Sequence, residues 1–78
     1  FTLMPVVQKF SASRVVIYAA DHLPAHAHVQ LRDGRECTVE IDSLAITGTV
    51  AAREIHKELQ WIKANRAQLK AEWRRLNP

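Results

Sequence analysis

With a single cysteine, the chain can form no disulfide of its own. No apolar run approaches the roughly 20 residues that span a bilayer, which excludes a transmembrane helix and predicts no membrane partner. Internal repeats, low-complexity tracts and linkers are also missing. The opening Phe1-Thr2-Leu3-Met4-Pro5 lacks the basic region and long apolar stretch of a secretory leader. Together with the unpaired Cys37, this predicts a reducing, cytoplasmic setting. Met4 is a candidate natural start, with residues 1–3 as processing or cloning remnants.

What remains, 78 residues of which 47% are apolar and 24% charged, fits one globular domain over residues 1–78. At that size a single core is only just adequate, so a homodimer or a small protein partner is expected. The net charge of +3 is unevenly placed. Residues 1–52 carry four basic and five acidic side chains, whereas residues 53–78 carry seven and three. A basic C-terminal third can follow phosphates, although a solvated helix face accounts for an excess of this size.

Residues 1–12 read as an N-terminal segment, 13–48 as an antiparallel sheet and 49–77 as helical. Arg14 to Ala19 alternates Val15 and Ile17 against Arg14 and Tyr18, a strand pattern rich in β-branched residues. A second strand from Ala25 sets Ala27, Val29 and Leu31 on one face and His26, His28, Gln30 and Arg32 on the other. The third, Glu36 to Asp42, sets Cys37, Val39 and Ile41 against Glu36, Thr38 and Glu40. A two-residue Asp33-Gly34 turn would pair apolar with polar faces. A three-residue loop restores agreement, and Arg32-Asp33-Gly34 is preferred because it places glycine where positive φ is required. That register sets His26 opposite Glu40 and His28 opposite Thr38.

Residues 43–47 are a candidate fourth strand, closed by Gly48, with Thr49 as a candidate helix cap. Ile55, Leu59, Ile62, Leu69, Trp73 and Leu76 then form one apolar stripe, interrupted where Arg66 takes the expected apolar position. A straight helix over residues 50–76 would be about 40 Å long, so it either bends near Asn65-Arg66 or overhangs and docks on another chain. The expected architecture is α+β, with a three- or four-stranded antiparallel sheet packed on a long C-terminal helix, straight or bent.

The chemistry is concentrated between the first two of these strands. Three of the four histidines fall in Asp21-His22-Leu23-Pro24-Ala25-His26-Ala27-His28. His26 and His28 share a strand face, the arrangement of a His-x-His metal pair. The same groups suit metal-independent acid–base cleavage of a phosphodiester, with Asp21 orienting an imidazole and Arg14 or Arg32 holding phosphate. His56, alone in the helix, and Cys37, on an apolar strand face, read as structural, and Trp61 and Trp73 as core or interface anchors.

The pattern Asp21-His22-x-Pro24-x-His26-x-His28, with Trp61 and Leu69-x-x-x-Trp73 after it, resembles an uncharacterised bacterial family, domain of unknown function 4160. The likeness covers nearly the whole chain from Met4. This chain has Ala25 and Ala27 where members often carry proline and an aromatic residue, which removes a ring for base stacking. Members are encoded beside another small protein, so the resemblance implies a toxin and antitoxin pair. The leading expectation is therefore a toxin-like component that cleaves RNA without a metal, with Asp21, His22, His26 and His28 catalytic and Arg14 and Arg32 binding substrate. The alternatives are a non-catalytic module that pairs through its C-terminal helix, and a divalent metal site at His26 and His28.

Overall fold

The computed structural model describes residues 6–19 and 21–78. The expectations about residues 1–3 and a start at Met4 lie outside them. Five strands, β1 (Val6–Lys9), β2 (Ser13–Val16), β3 (His26–Leu31), β4 (Glu36–Glu40) and β5 (Ile46–Gly48), form one antiparallel meander in sequence order. A 3-10 turn (Ala52–Ile55) leads into helices α1 (His56–Ala64) and α2 (Arg66–Leu76). The α+β class agrees with the sequence reading, while the expected three or four strands become five and the expected long helix becomes two.

The added strand, β1, lies within the supposed N-terminal segment. Its ladder slips between Val6 and Gln8, where Val6 faces Val16 and Gln8 faces Val15. A bulge of this kind breaks the strict alternation that marks a strand in sequence and turns Val7 toward the core. β2 ends at Val16, short of the expected Ala19, because Asn77 draws the chain away from the sheet. The Asn77 side-chain amide donates to the Tyr18 carbonyl at 3.2 Å.

The β3–β4 hairpin adopts the expected register, with His26 facing Glu40 and His28 facing Thr38. Gly34 closes its loop at φ +98°. Gly48, at φ +136°, pairs with Cys37 so closely that a Cβ would lie 3.0 Å from the Cys37 Cβ. Thr49 does not cap the helical segment. The Glu54 carboxylate accepts instead from the Ala51 amide at 2.8 Å, satisfying a first-turn donor.

Helices and sheet enclose one core, in which Val15, Ile17, Val29, Val39, Ile41, Ile55, Ile62 and Leu69 are fully buried. Ser13 donates to the buried Glu58 carboxylate and thereby pins α1 to β2. The longest dimension is 32 Å, too short for an unbroken helix of about 40 Å. The break falls at Asn65 (φ −120°, ψ 27°), whose side-chain amide donates to the Trp61 carbonyl at 2.8 Å. It gives Arg66 a specific role, since its guanidinium donates to the carbonyls of Ile41 (2.9 Å) and Asp42 (2.8 Å) where β4 ends. The helix therefore bends rather than overhangs. Leu69 and Trp73 both lie in the chain's own core, so Trp73 is a core anchor.

Arg66→Leu would complete the apolar stripe, yet it removes two charge-assisted hydrogen bonds. We expect it to lower stability by about 1–2 kcal/mol in urea unfolding. A variant as stable as the parent would show that the stripe, rather than the bonded carbonyls, governs this position.

Candidate functional site

Leaving the sheet after Val16, the chain loops out and returns at His26, and Asp21 sits in this excursion. Its amide donates to Asn77 Oδ1 at 2.5 Å, while Asn77 Nδ2 also donates to the Trp73 carbonyl at 3.2 Å. The end of α2 thus fixes where Asp21 stands. The Leu23-Pro24 peptide bond is cis, and Leu23 is 77% exposed at the tip of the loop.

From this position the Asp21 carboxylate meets all three clustered histidines. Oδ2 lies 2.8 Å from His26 Nε2 and 3.2 Å from His28 Nε2, and Oδ1 lies 3.0 Å from His22 Nδ1. Oδ1 also accepts from the His22 amide at 2.9 Å. Burial alone would raise the Asp21 carboxyl, but the His22 amide and the imidazoles of His28 and His26 prevail and hold it below its ordinary value. The rings of His26 and His28 stand with centroids 5.1 Å apart. Trp73 walls His26 at 4.9 Å, and Tyr18 meets His28 edge-on at 4.3 Å.

The far side of each ring decides its chemistry. His26 Nδ1 lies 2.8 Å from the Pro24 carbonyl, which only accepts, so Nδ1 carries the hydrogen. His28 Nδ1 donates in the same way to Glu36 Oε2 at 2.9 Å. Glu36 is itself held by Gln30 at 3.2 Å, and Gln30 also donates to the Tyr18 hydroxyl at 2.7 Å. In their neutral forms both imidazoles therefore aim an Nε2 lone pair at one carboxylate oxygen. Such a convergence of acceptor atoms is satisfied by a cation between them, either a proton on an imidazole or a metal ion.

The same three groups are close enough together to hold a metal ion. The ligand atoms of Asp21, His26 and His28 lie within 4.8 Å of one another. Around a tetrahedral ion bound at 2.0–2.2 Å neighbouring ligand atoms sit roughly 3.3–3.6 Å apart, so the 2.8 and 3.2 Å separations here would open by a few tenths of an ångström on binding. Both Nδ1 atoms already have the acceptors that fix a ligating histidine's tautomer. In front of the cluster lies a cavity of about 370 Å³, lined by His22, Thr38, Glu40 and Thr47 among others.

Four of the expected site residues, Asp21, His22, His26 and His28, are thus brought together, with His22 at the solvent side and its side chain 85% exposed. Arg14 and Arg32 are not. Arg14 bonds Gln30 Oε1 at 2.6 Å, and both arginines line a separate groove beyond Gln30. His56 is exposed and Cys37 is buried in the core, in keeping with their structural readings. Sequence reasoning named Glu40 as the carboxylate near the histidines and missed Glu36. The available signal was same-face alternation, which places Glu36 diagonal to His28 and within reach of a long side chain. The role of Asn77, 56 residues from Asp21, left no local signal.

The family described as domain of unknown function (DUF4160) matches residues 13–74, and the chain belongs to it. No curated protein and no solved structure matches it. The matched span contains the whole histidine cluster and both helices up to Arg74. Among the described residues, no helix is long and apolar enough to cross a membrane.

Asn77→Ala leaves the histidines untouched but removes the acceptor for the Asp21 amide. Hydrogen exchange at that amide is expected to accelerate to the rate of an exposed loop, with about 1 kcal/mol lost from global stability. Unchanged protection would mean that the excursion is held by something other than the end of α2.

Proposed function

We propose that Asp21, His26 and His28 form a divalent transition-metal site, and that the protein works through the ion held there. The observation that carries this reading is the orientation of the two imidazoles, each giving its Nδ1 hydrogen to an acceptor and turning Nε2 to the same Asp21 oxygen. Two nitrogens and one carboxylate oxygen suit zinc, nickel, iron or manganese. Three protein ligands leave coordination positions for water or substrate, as in catalytic rather than structural sites. An ion there would polarise a bound oxygen and supply a hydroxide near neutral pH. His22 and Glu40, in the wall of the adjoining cavity, are placed to exchange protons with what binds.

This changes the roles drawn from the sequence. A metal-independent ribonuclease needs imidazole nitrogens free to give and take protons, and both ring nitrogens of His26 and His28 are engaged. They serve better as ligands. The toxin-like role within a two-protein module is supported by the family resemblance and remains the proposed biological setting. It predicts that expression of the parent chain slows growth and that expression of His26→Ala does not.

Purified protein equilibrated with zinc, nickel or manganese and dialysed is expected to retain close to one ion per chain by elemental analysis. Metal at about 100 times its Kd should raise the unfolding free energy by about 2.7 kcal/mol. His28→Ala should abolish retention. Glu36→Gln, which keeps the side chain's shape but weakens the partner of His28, should lower affinity about 10- to 100-fold. A folded parent protein that retains none of these metals sinks the proposal.

A further inference from the structure

Past Gln30 on the polar sheet face, the turns joining β1 to β2 and β3 to β4 enclose a second, larger groove of about 700 Å³. Lys9, Arg14, Arg32 and Arg35 line it, with Glu36 as the acidic side chain facing them. Glu36 is already engaged by His28 and Gln30, and the charge of Arg35 is matched by Asp33 and Glu54, each at 2.9 Å. Among the described residues, the side chains of Lys9 and Arg32 make no hydrogen bond or ion pair, and Arg14 is anchored through Nε to the uncharged Gln30, with no carboxylate partner. Three cations are therefore available to an anion.

The shape favours an extended anion over a single one. Arg32 lies just past the end of β3, four residues beyond His28 and roughly 13 Å away at about 3.3 Å per residue. The groove thus continues the face that carries the histidine cluster, in the direction of β3. Phe10, half-buried in the β1–β2 turn, adds an aromatic wall to the basic lining. Cationic side chains that track a backbone, beside a ring on which an unpaired base can stack, are the elements of a single-strand site.

We infer that this groove binds single-stranded nucleic acid, with Lys9, Arg14 and Arg32 on successive phosphates and Phe10 against a base. Binding here does not depend on the metal site. A strand held in the groove would run toward the histidine cavity.

The test is fluorescence anisotropy with a labelled single-stranded RNA of roughly 12 nucleotides, carried out in chelator with salt varied between about 50 and 200 mM. Three phosphate contacts at about 0.7 each give a slope of about −2 for log K against log salt. Lys9→Ala with Arg32→Ala, both at exposed positions, should weaken binding about 25-fold at 0.1 M salt and reduce the slope to about −0.7. His26→Ala should bind as the parent does, which separates this result from any failure of the metal reading. Lys63→Ala with Arg74→Ala, on the helices outside the groove, should also bind as the parent does. Absence of binding, equal loss in the helix variant, equal affinity for duplex RNA, or full displacement by low-millimolar inorganic phosphate would each overturn the assignment.

Discussion

Everything at the site depends on one oxygen, Asp21 Oδ2, standing between two imidazole nitrogens at 2.8 and 3.2 Å. A carboxylate in an excursion between strands would ordinarily turn to water. Here the Asp21 amide is bound by Asn77, and Asn77 is held in turn by the last turn of α2. The final helix thus supports the site as well as the core. Trp73 joins the two functions, packing into the core on one side and against the His26 ring on the other.

On the polar face, a chain of side chains runs from this oxygen along the sheet. His28 joins Asp21 to Glu36, Glu36 joins Gln30, and Gln30 joins both Tyr18 and Arg14. Each link leaves the next with fewer rotamers, so the histidine cluster and the basic groove are ordered by one network. Polar networks of this kind fix geometry only when their members are satisfied. Among the described residues, no buried side-chain nitrogen or oxygen lacks a partner.

Much of this was legible in the sequence, for identifiable reasons. The β3–β4 register followed from matching apolar faces, because a slip of one residue would have turned His26 and His28 into the core. The cluster was legible because Asp21, His22, His26 and His28 are local in sequence, so a turn and one strand suffice to assemble them. β1 escaped notice because its bulge hides the alternation of a four-residue strand. The division of the helix was half legible. Arg66 marked the place, but its meaning required the positions of the Ile41 and Asp42 carbonyls, 25 and 24 residues earlier. Thr49 was a reasonable cap by residue type and lost to Glu54, which reaches back to the Ala51 amide from within the first turn.

Charge balance gives a further reason to prefer an ion at the cluster over a purely structural role. The cluster brings together the carboxylates of Asp21 and Glu36 on either side of His28, Asp21 largely shielded and Glu36 exposed. Two neutral imidazoles would leave two like charges linked through one ring, with the shielded Asp21 carboxylate lacking a cation of its own. A divalent cation held by Asp21, His26 and His28 would offset both charges. It would also strengthen the hydrogen bond that Glu36 accepts from His28 Nδ1. The bland alternative, an aspartate tidying a turn, accounts for the His22 amide and the Asn77 contact. A protonated His28 would also pair with Asp21, so what separates the two readings is whether a metal ion displaces that proton.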